Sequence, residues 1–193
     1  MPRVGLTPSA IVEIALGVVD EHGLPALTLT AVAERAGVAT PALYKHVRNL
    51  ADLQQLIAAR VADDVTAQLT AGLVGRSGDA ALRTLAHTFR GYVSRYPQRY
   101  AAIVAAPQPG TPAAEAAGRM LDLFLAVLRG YGLEGSPAVH ATRALRAACH
   151  GFAMLQAGGG FGLPENLDAS YDLLIEMVIR GLPLAARLPP DGP

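Results

Sequence analysis

The chain has 193 residues, of which 51% are hydrophobic and 17% charged; this excludes a wholly disordered protein and suffices for one or two domains with their own cores. Sixteen basic and sixteen acidic residues cancel, so the overall charge argues against a protein that coats a polyanion. The single cysteine, Cys149, excludes an internal disulfide framework and a cysteine-based zinc cluster. No apolar run reaches the ~18 residues of a membrane span, and the opening MPRVGLTPS lacks the layout of a signal peptide, so we expect a cytoplasmic protein with no membrane partner.

Helical signals dominate the chain. Thr7 can cap a helix that has Pro8 at its first position, and Gly23 ends the apolar period that follows. Caps, 3.6-residue periods and glycine stops of this kind predict helices over residues 8–22, 28–36 (opening at Thr28 or Thr30), 40–48, 52–71, 79–96, 97–104, 113–131, 137–157 and 169–181. The one alternating run, Leu27-Thr28-Leu29-Thr30, is too short for a sheet. We therefore expect an all-α fold of about nine helices.

The pattern over residues 28–48 is typical of a helix-turn-helix motif. Two short helices flank Gly37, whose freedom to adopt a positive φ suits a tight turn. The inward positions are Ala33, Val38, Leu43 and Val47. In such motifs the front of the second helix enters the major groove of DNA.

The outward residues of this motif have the chemistry of DNA contact. Lys45, the only lysine of the chain, can donate to guanine or phosphate, and the ring of Pro41 can touch a thymine methyl. The formal charge of residues 28–48 is +2, because this segment contains three basic residues, Arg35, Lys45 and Arg48, and one acidic residue, Glu34. Tyr44 also fits half-buried packing, and Arg48 also fits a charge at a helix C-terminus. The predicted DNA-contact set is Thr28, Thr30, Thr40, Pro41, Ala42, Tyr44, Lys45, His46 and Arg48.

This segment resembles the DNA-binding domain of the tetracycline-repressor (TetR) family. The resemblance covers about residues 7–57 and rests on Leu27-Thr28, Val32-Ala33, the run from Gly37 to Val47, and Leu53. It implies a three-helix DNA-binding domain over residues 1–50 and an effector-binding and dimerisation domain over 51–185. The proline- and glycine-rich end of the chain predicts a frayed tail over 186–193. Two departures matter: Leu50 replaces a lysine that contacts phosphate in the family, and Leu29 replaces a basic or hydroxyl residue. We therefore expect modest non-specific affinity for DNA and a shallow salt dependence.

The C-terminal half shows a weaker resemblance. Cys149-His150-Gly151-Phe152, followed by a glycine-rich turn, is similar to the C-terminal domain of a TetR subgroup whose motif reads Trp-His-Gly, with Cys149 in place of tryptophan. The resemblance implies a homodimer held by the last two long helices, and the final helix, apolar on two sides, independently favours it. Core packing is the alternative. The predicted interface is Ala141, Ala144, Ala148, Gly151, Leu174, Met177 and Val178.

The resemblance also implies an effector pocket within about residues 60–165. Polar and aromatic residues in otherwise apolar helices are the candidates, although each also fits an ordinary core or surface position. They are His87, Tyr92, Tyr96, Tyr100, Arg143, His150 and Met154. We expect an apolar pocket and therefore a small hydrophobic effector.

No sequence pattern indicates catalysis. The glycines at 158–160 lack the lysine and hydroxyl of a phosphate loop, and no metal-ligand or nucleophile motif occurs. We therefore expect that the protein is not an enzyme and uses no metal or cofactor. We expect a homodimeric repressor that binds a palindromic operator in double-stranded DNA and is released from it by its effector. The alternatives are a helical ligand-binding protein or enzyme with an inactive head, and a protein-interaction module docking through residues 40–48.

Overall fold

The computed structural model describes residues 6–187, and this part of the chain contains helices joined by loops, without a strand. The α-helices are α1 (Pro8–His22), α2 (Leu29–Ala36), α3 (Leu50–Leu73), α4 (Gly78–Arg95), α5 (Pro97–Tyr100), α6 (Pro112–Arg129), α7 (Gly135–Ala157) and α8 (Leu167–Ala185). Three short 3-10 helices occupy Leu24–Ala26, Thr40–Lys45 and Ala101–Ile103. The all-α prediction is confirmed. The predicted third helix is the 3-10 helix Thr40–Lys45, and most of the predicted tail lies outside the described residues.

The chain forms two compact units that do not follow the predicted division at residue 50. One unit contains the chain through Asp64 together with Tyr96–Gly118, and the other contains Val65–Arg95 together with the chain from Arg119. Helices α3 and α6 each cross from one unit to the other. The division into a DNA-binding domain over 1–50 and an effector domain over 51–185 is functional and stays a prediction.

The core of the first unit joins α1, α2 and the 3-10 helix Thr40–Lys45. Ile11, Leu16, Val32 and Leu43 are each completely buried. Local sequence signals position these elements, because the hydroxyl of Thr7 accepts a hydrogen bond from the Ala10 amide and so caps α1. The short helix α5 packs against α1 within the same unit.

The second unit is built around the packing of α4 and α8 on α7. Tyr171 of α8 is completely buried, and its hydroxyl donates a hydrogen bond of 2.8 Å to the carbonyl oxygen of Ala86 in α4. The side chain of Asn166 caps α8 by accepting from the amides of Asp168 and Ala169, so the cap lies two residues before the predicted Asp168. No helix among the described residues has the length and apolar character needed to span a membrane.

Candidate DNA-binding site

The turn of the motif has the geometry that its sequence predicts. Thr28 caps α2 by accepting a hydrogen bond of 3.0 Å from the Ala31 amide. Gly37 ends α2 with φ of 67°, a left-handed conformation that strains residues carrying a Cβ. The amide of the next residue, Val38, donates to the carbonyl of Ala33 and closes the turn. The fold therefore fixes the direction in which the chain leaves α2.

The recognition segment, Thr40–Lys45, is a 3-10 helix anchored by its apolar side. Leu43 is completely buried and Val47 nearly so, while Pro41 removes one amide from the helical hydrogen-bond pattern. The amide of Ala42 donates to Ala39 and that of His46 to Leu43, both bonds spanning three residues. Burial of Leu43 leaves the other side of the segment facing away from the core.

The structure places the predicted DNA-contact set on or near the surface. Tyr44 is 56% exposed, so more than half of this residue is open to solvent. The other exposed members are Thr28, Thr30, Pro41, Lys45 and Arg48, and the half-buried members are Thr40, Ala42 and His46. Whether these residues contact DNA stays a prediction.

The cations of the motif differ in their partners. Within the described residues Lys45 makes no ion pair. Arg35 donates through Nη1 and Nη2 to the two carboxylate oxygens of Glu21 at 2.6 and 2.7 Å. A Cβ on Gly17 would lie 2.9 Å from the Arg35 guanidinium, so glycine at this position leaves room for that group against α1. The guanidinium of Arg35 lowers the pKa of the Glu21 carboxyl, chiefly through the hydrogen bond.

Arg48 is also paired, and its partner was not among the predicted functional residues. Arg48 Nη2 donates to Asp52 Oδ1 at 2.9 Å, and the Arg48 amide donates to Asp52 Oδ2 at 3.0 Å. Asn49 caps α3 through a 2.8 Å bond from the Asp52 amide. The acidic residue three positions after Asn49 is a sequence signal from which Asp52 could have been found. Arg48 thus lies at the start of α3 rather than acting as a charge at a helix C-terminus.

The predicted effector residues are divided between the two units. Tyr96 and Tyr100 belong to the first, and the others belong to the second. Tyr92 and Tyr100 are buried, whereas His87, Arg143 and Met154 are exposed. His87 Nε2 lies 2.8 Å from Asp172 Oδ1 on α8, and its ring packs edge-on against Tyr171. The proposed effector role of these residues stays a prediction.

The predicted dimer interface lies on α7 and α8 of the second unit. Met177 is 60% exposed, Ala144 is exposed and Ala141 is buried; Ala148, Gly151, Leu174 and Val178 are half-buried. Leu173, next to the predicted set, is 56% exposed. An open pocket of about 270 Å³ lies between the two helices, and it is lined by His140, Ala141, Ala144, Val178, Gly181, Leu182, Leu184 and Ala185.

Comparison with known proteins assigns both parts of the chain. Residues 11–53 match the tetR family of bacterial regulatory proteins, and residues 82–178 match the tetracyclin repressor-like C-terminal domain. The second match includes the Cys149-His150-Gly151 segment.

Individual proteins agree with these matches. The uncharacterized HTH-type transcriptional regulator Rv0681 of Mycobacterium tuberculosis is 37% identical over 177 residues, 91% of this chain and 79% of the relative. The uncharacterized HTH-type transcriptional regulator YobS of Bacillus subtilis is 31% identical over 182 residues, 94% of this chain and 95% of the relative. Among solved structures, TetR-Q116A of Acinetobacter baumannii in complex with minocycline has a similar fold, with a TM-score of 0.71 and 23% identity over 93% of this chain and 97% of that one. The chain therefore belongs to the TetR family of bacterial transcriptional regulators.

Proposed function

We propose that this chain is a homodimeric repressor that binds a palindromic operator in double-stranded DNA and leaves it when a small apolar effector binds. The observation that carries the proposal is the recognition segment, where buried Leu43 holds Pro41, Tyr44 and Lys45 outward at the surface. An exposed lysine, a proline ring and a phenol together suit a DNA groove with its phosphate walls. A regulator that acts on DNA in a bacterium works in the cytoplasm.

The apolar surface of α8 supports the proposed dimer. Tyr171 and Ile175 are completely buried on one side of this helix, while Leu173 and Met177 are more than half exposed on another. An exposed apolar stripe on α8, which packs against α7, suits association with a second copy. Two heads related by a two-fold axis would read a palindrome with half-sites about one helical turn apart.

Effector control requires coupling between the effector-binding and DNA-binding parts. Helix α3 starts beside Arg48 and continues into the second unit, so it provides a covalent route. The similar fold from A. baumannii was solved with minocycline bound, which supports a small organic effector for this chain. By linkage, an effector that lowers operator affinity must itself bind less tightly to the operator-bound protein.

The first test is selection of bound duplexes from a random pool, followed by titration of Lys45→Ala and Tyr44→Ala. We expect each variant to lose about ten-fold or more in operator affinity, because a good base contact is worth ~1–3 kcal/mol. Sedimentation should show an intact dimer in both. Arg129→Ala, which removes an exposed cation at the end of α6, is the matched control and should bind normally.

Two results would contradict the proposal. Unchanged operator affinity in both variants would show that the recognition segment does not contact the operator. Tight binding of a small molecule without retention of any duplex would instead favour a ligand-binding protein with an inactive head.

A further inference from the structure

Arg48 belongs to the predicted DNA-contact set, yet its guanidinium already has a partner. The Arg48 side chain is 86% exposed and that of Asp52 is 22% exposed. The guanidinium therefore has an open side that an anion from solvent can reach, although one of its nitrogens is already bonded to Asp52 Oδ1. The Arg48 side chain is therefore accessible to a second anionic partner.

Asp52 is a fixed anion. Its backbone amide donates a hydrogen bond to Asn49 Oδ1, and its Oδ2 accepts one from the Arg48 amide. Asp52 also lies in the first turn of α3, where the helix dipole favours negative charge. Hydrogen bonds from the Arg48 side chain and backbone lower the pKa of Asp52, so the carboxylate stays charged at neutral pH. A phosphate that draws Arg48 away from α3 must compete with a carboxylate that is already in place.

The charge that the motif offers to DNA is therefore smaller than its sequence suggests. Arg35 is held by Glu21 and Arg48 by Asp52. Of the three cations in residues 28–48, only Lys45 has no ion pair in the described part of the chain. The formal charge of +2 over this segment omits Glu21 and Asp52, which lie outside it and are the ion-pair partners of the two arginines.

We propose that Asp52 is a specificity-determining residue, because it holds Arg48 on the protein until a duplex is docked in the correct register. On unrelated DNA, a loosely placed phosphate competes poorly with the fixed carboxylate, and Arg48 adds little. On the operator, contacts from Lys45 and its neighbours hold a DNA phosphate at one position. There the phosphate replaces Asp52 as the partner of the Arg48 guanidinium. The inference rests on the proposed function.

The test compares Asp52→Asn, Arg48→Gln and the double variant by fluorescence anisotropy. The probes are the selected operator and a scrambled duplex of equal length, each titrated over a series of NaCl concentrations. Asparagine keeps an oxygen that can accept from the Arg48 amide, so α3 retains its start. Glu34→Gln is the matched control, because it removes the same charge from a side chain on α2 that has no ion pair among the described residues.

We expect Asp52→Asn to bind the scrambled duplex several-fold more tightly and the operator only slightly more tightly. Its slope of log K against log salt should steepen by up to ~0.9 per released arginine. Arg48→Gln should lower the affinity for the operator by a larger factor than the affinity for the scrambled duplex. In the Asp52→Asn background, the same substitution should lower the affinity for both duplexes. Glu34→Gln should change neither the slope nor the ratio of the two affinities.

Three outcomes would overturn the inference. They are an Asp52→Asn variant that behaves like Glu34→Gln, one that leaves scrambled binding unchanged, and an Arg48→Gln variant that weakens both duplexes equally. Arg48→Gln leaves Asp52 and its backbone contacts in place, so its comparison decides the matter even if Asp52→Asn unfolds early. Failure of the wild type to bind any duplex, even in dilute buffer, would instead reject the proposed function.

Discussion

At the scale of single residues, the sole cysteine shows how burial decides reactivity. Cys149 lies on the inner face of α7 and is 1% exposed. Burial raises the pKa of its thiol from 9.0 to about 11. Because the thiolate is the reactive form, a covered and protonated thiol is a poor nucleophile. Cys149 therefore has the surroundings of a packing residue rather than those of a redox sensor.

We expect iodoacetamide at pH 8 to label the native protein at least about 100-fold more slowly than the urea-unfolded protein, since both access and thiolate fraction fall on burial. Mass spectrometry reports the reaction directly, because the chain has one cysteine. The raised pKa also stabilises the fold below pH 9, and this contribution is lost as pH rises towards 11. Rapid labelling of protein that keeps its native circular dichroism would contradict the assignment.

At the scale of elements, the sequence predicted the helix-turn-helix but not its exact form. Caps, glycine stops and apolar spacing are local signals, so Thr7, Thr28 and Gly37 could be assigned from neighbours in sequence. The 3-10 form of Thr40–Lys45 was not predicted, because periods of 3.0 and 3.6 residues differ by only about 20° of rotation per residue, and a pattern of six residues is too short to separate them.

Ion pairs between elements could not be predicted from the sequence. Glu21 lies 14 residues before Arg35, and only the packing of α1 on α2 brings them together. The predicted effector residues are the extreme case, because they come from segments that are distant in sequence. The spacing of His87, Arg143 and His150 in sequence carries no information on whether their side chains share one pocket.

Arg90 joins α4 to two other elements of the second unit. Its Nε donates to Gln156 Oε1 at 2.8 Å and its Nη1 to Asp168 Oδ1 at 2.9 Å. The guanidinium carbon also lies 4.7 Å from the centroid of the Tyr171 ring. The Arg90 side chain is only 9% exposed, so these partners replace most of its contact with water.

We expect Arg90→Met to lower the free energy of unfolding by about 1–3 kcal/mol, because it removes two charge-assisted hydrogen bonds and the stacking on Tyr171. Urea unfolding followed by circular dichroism measures the change. Arg129→Met, at an exposed position on α6, is the control and should stay within about 0.5 kcal/mol of the wild type. Equal stabilities for both variants would show that Arg90 does not hold these elements together.

At the scale of the whole molecule, the proposed dimer depends on the exposed apolar side of α8. We expect Met177→Asp to convert the proposed dimer to a monomer, because dimerisation would bury an unpaired charge. Analytical ultracentrifugation measures the change. Val74→Asp places the same charge at a position that is 76% exposed, outside the proposed interface, and should leave the dimer intact. A Met177→Asp variant that sediments like the wild-type dimer would place the interface elsewhere.

Helix α3 has a mechanical consequence for a protein that reads DNA. Its 24 residues, with no proline and no glycine before Gly72, form a bar about 36 Å long at ~1.5 Å per residue. A change in tilt of roughly 5° displaces one end of such a bar by ~3 Å, close to the ~3.4 Å step between base pairs. Under the proposed effector control, a change of only a few degrees in the tilt of α3 would therefore move one end of the helix by almost one base-pair step of the duplex.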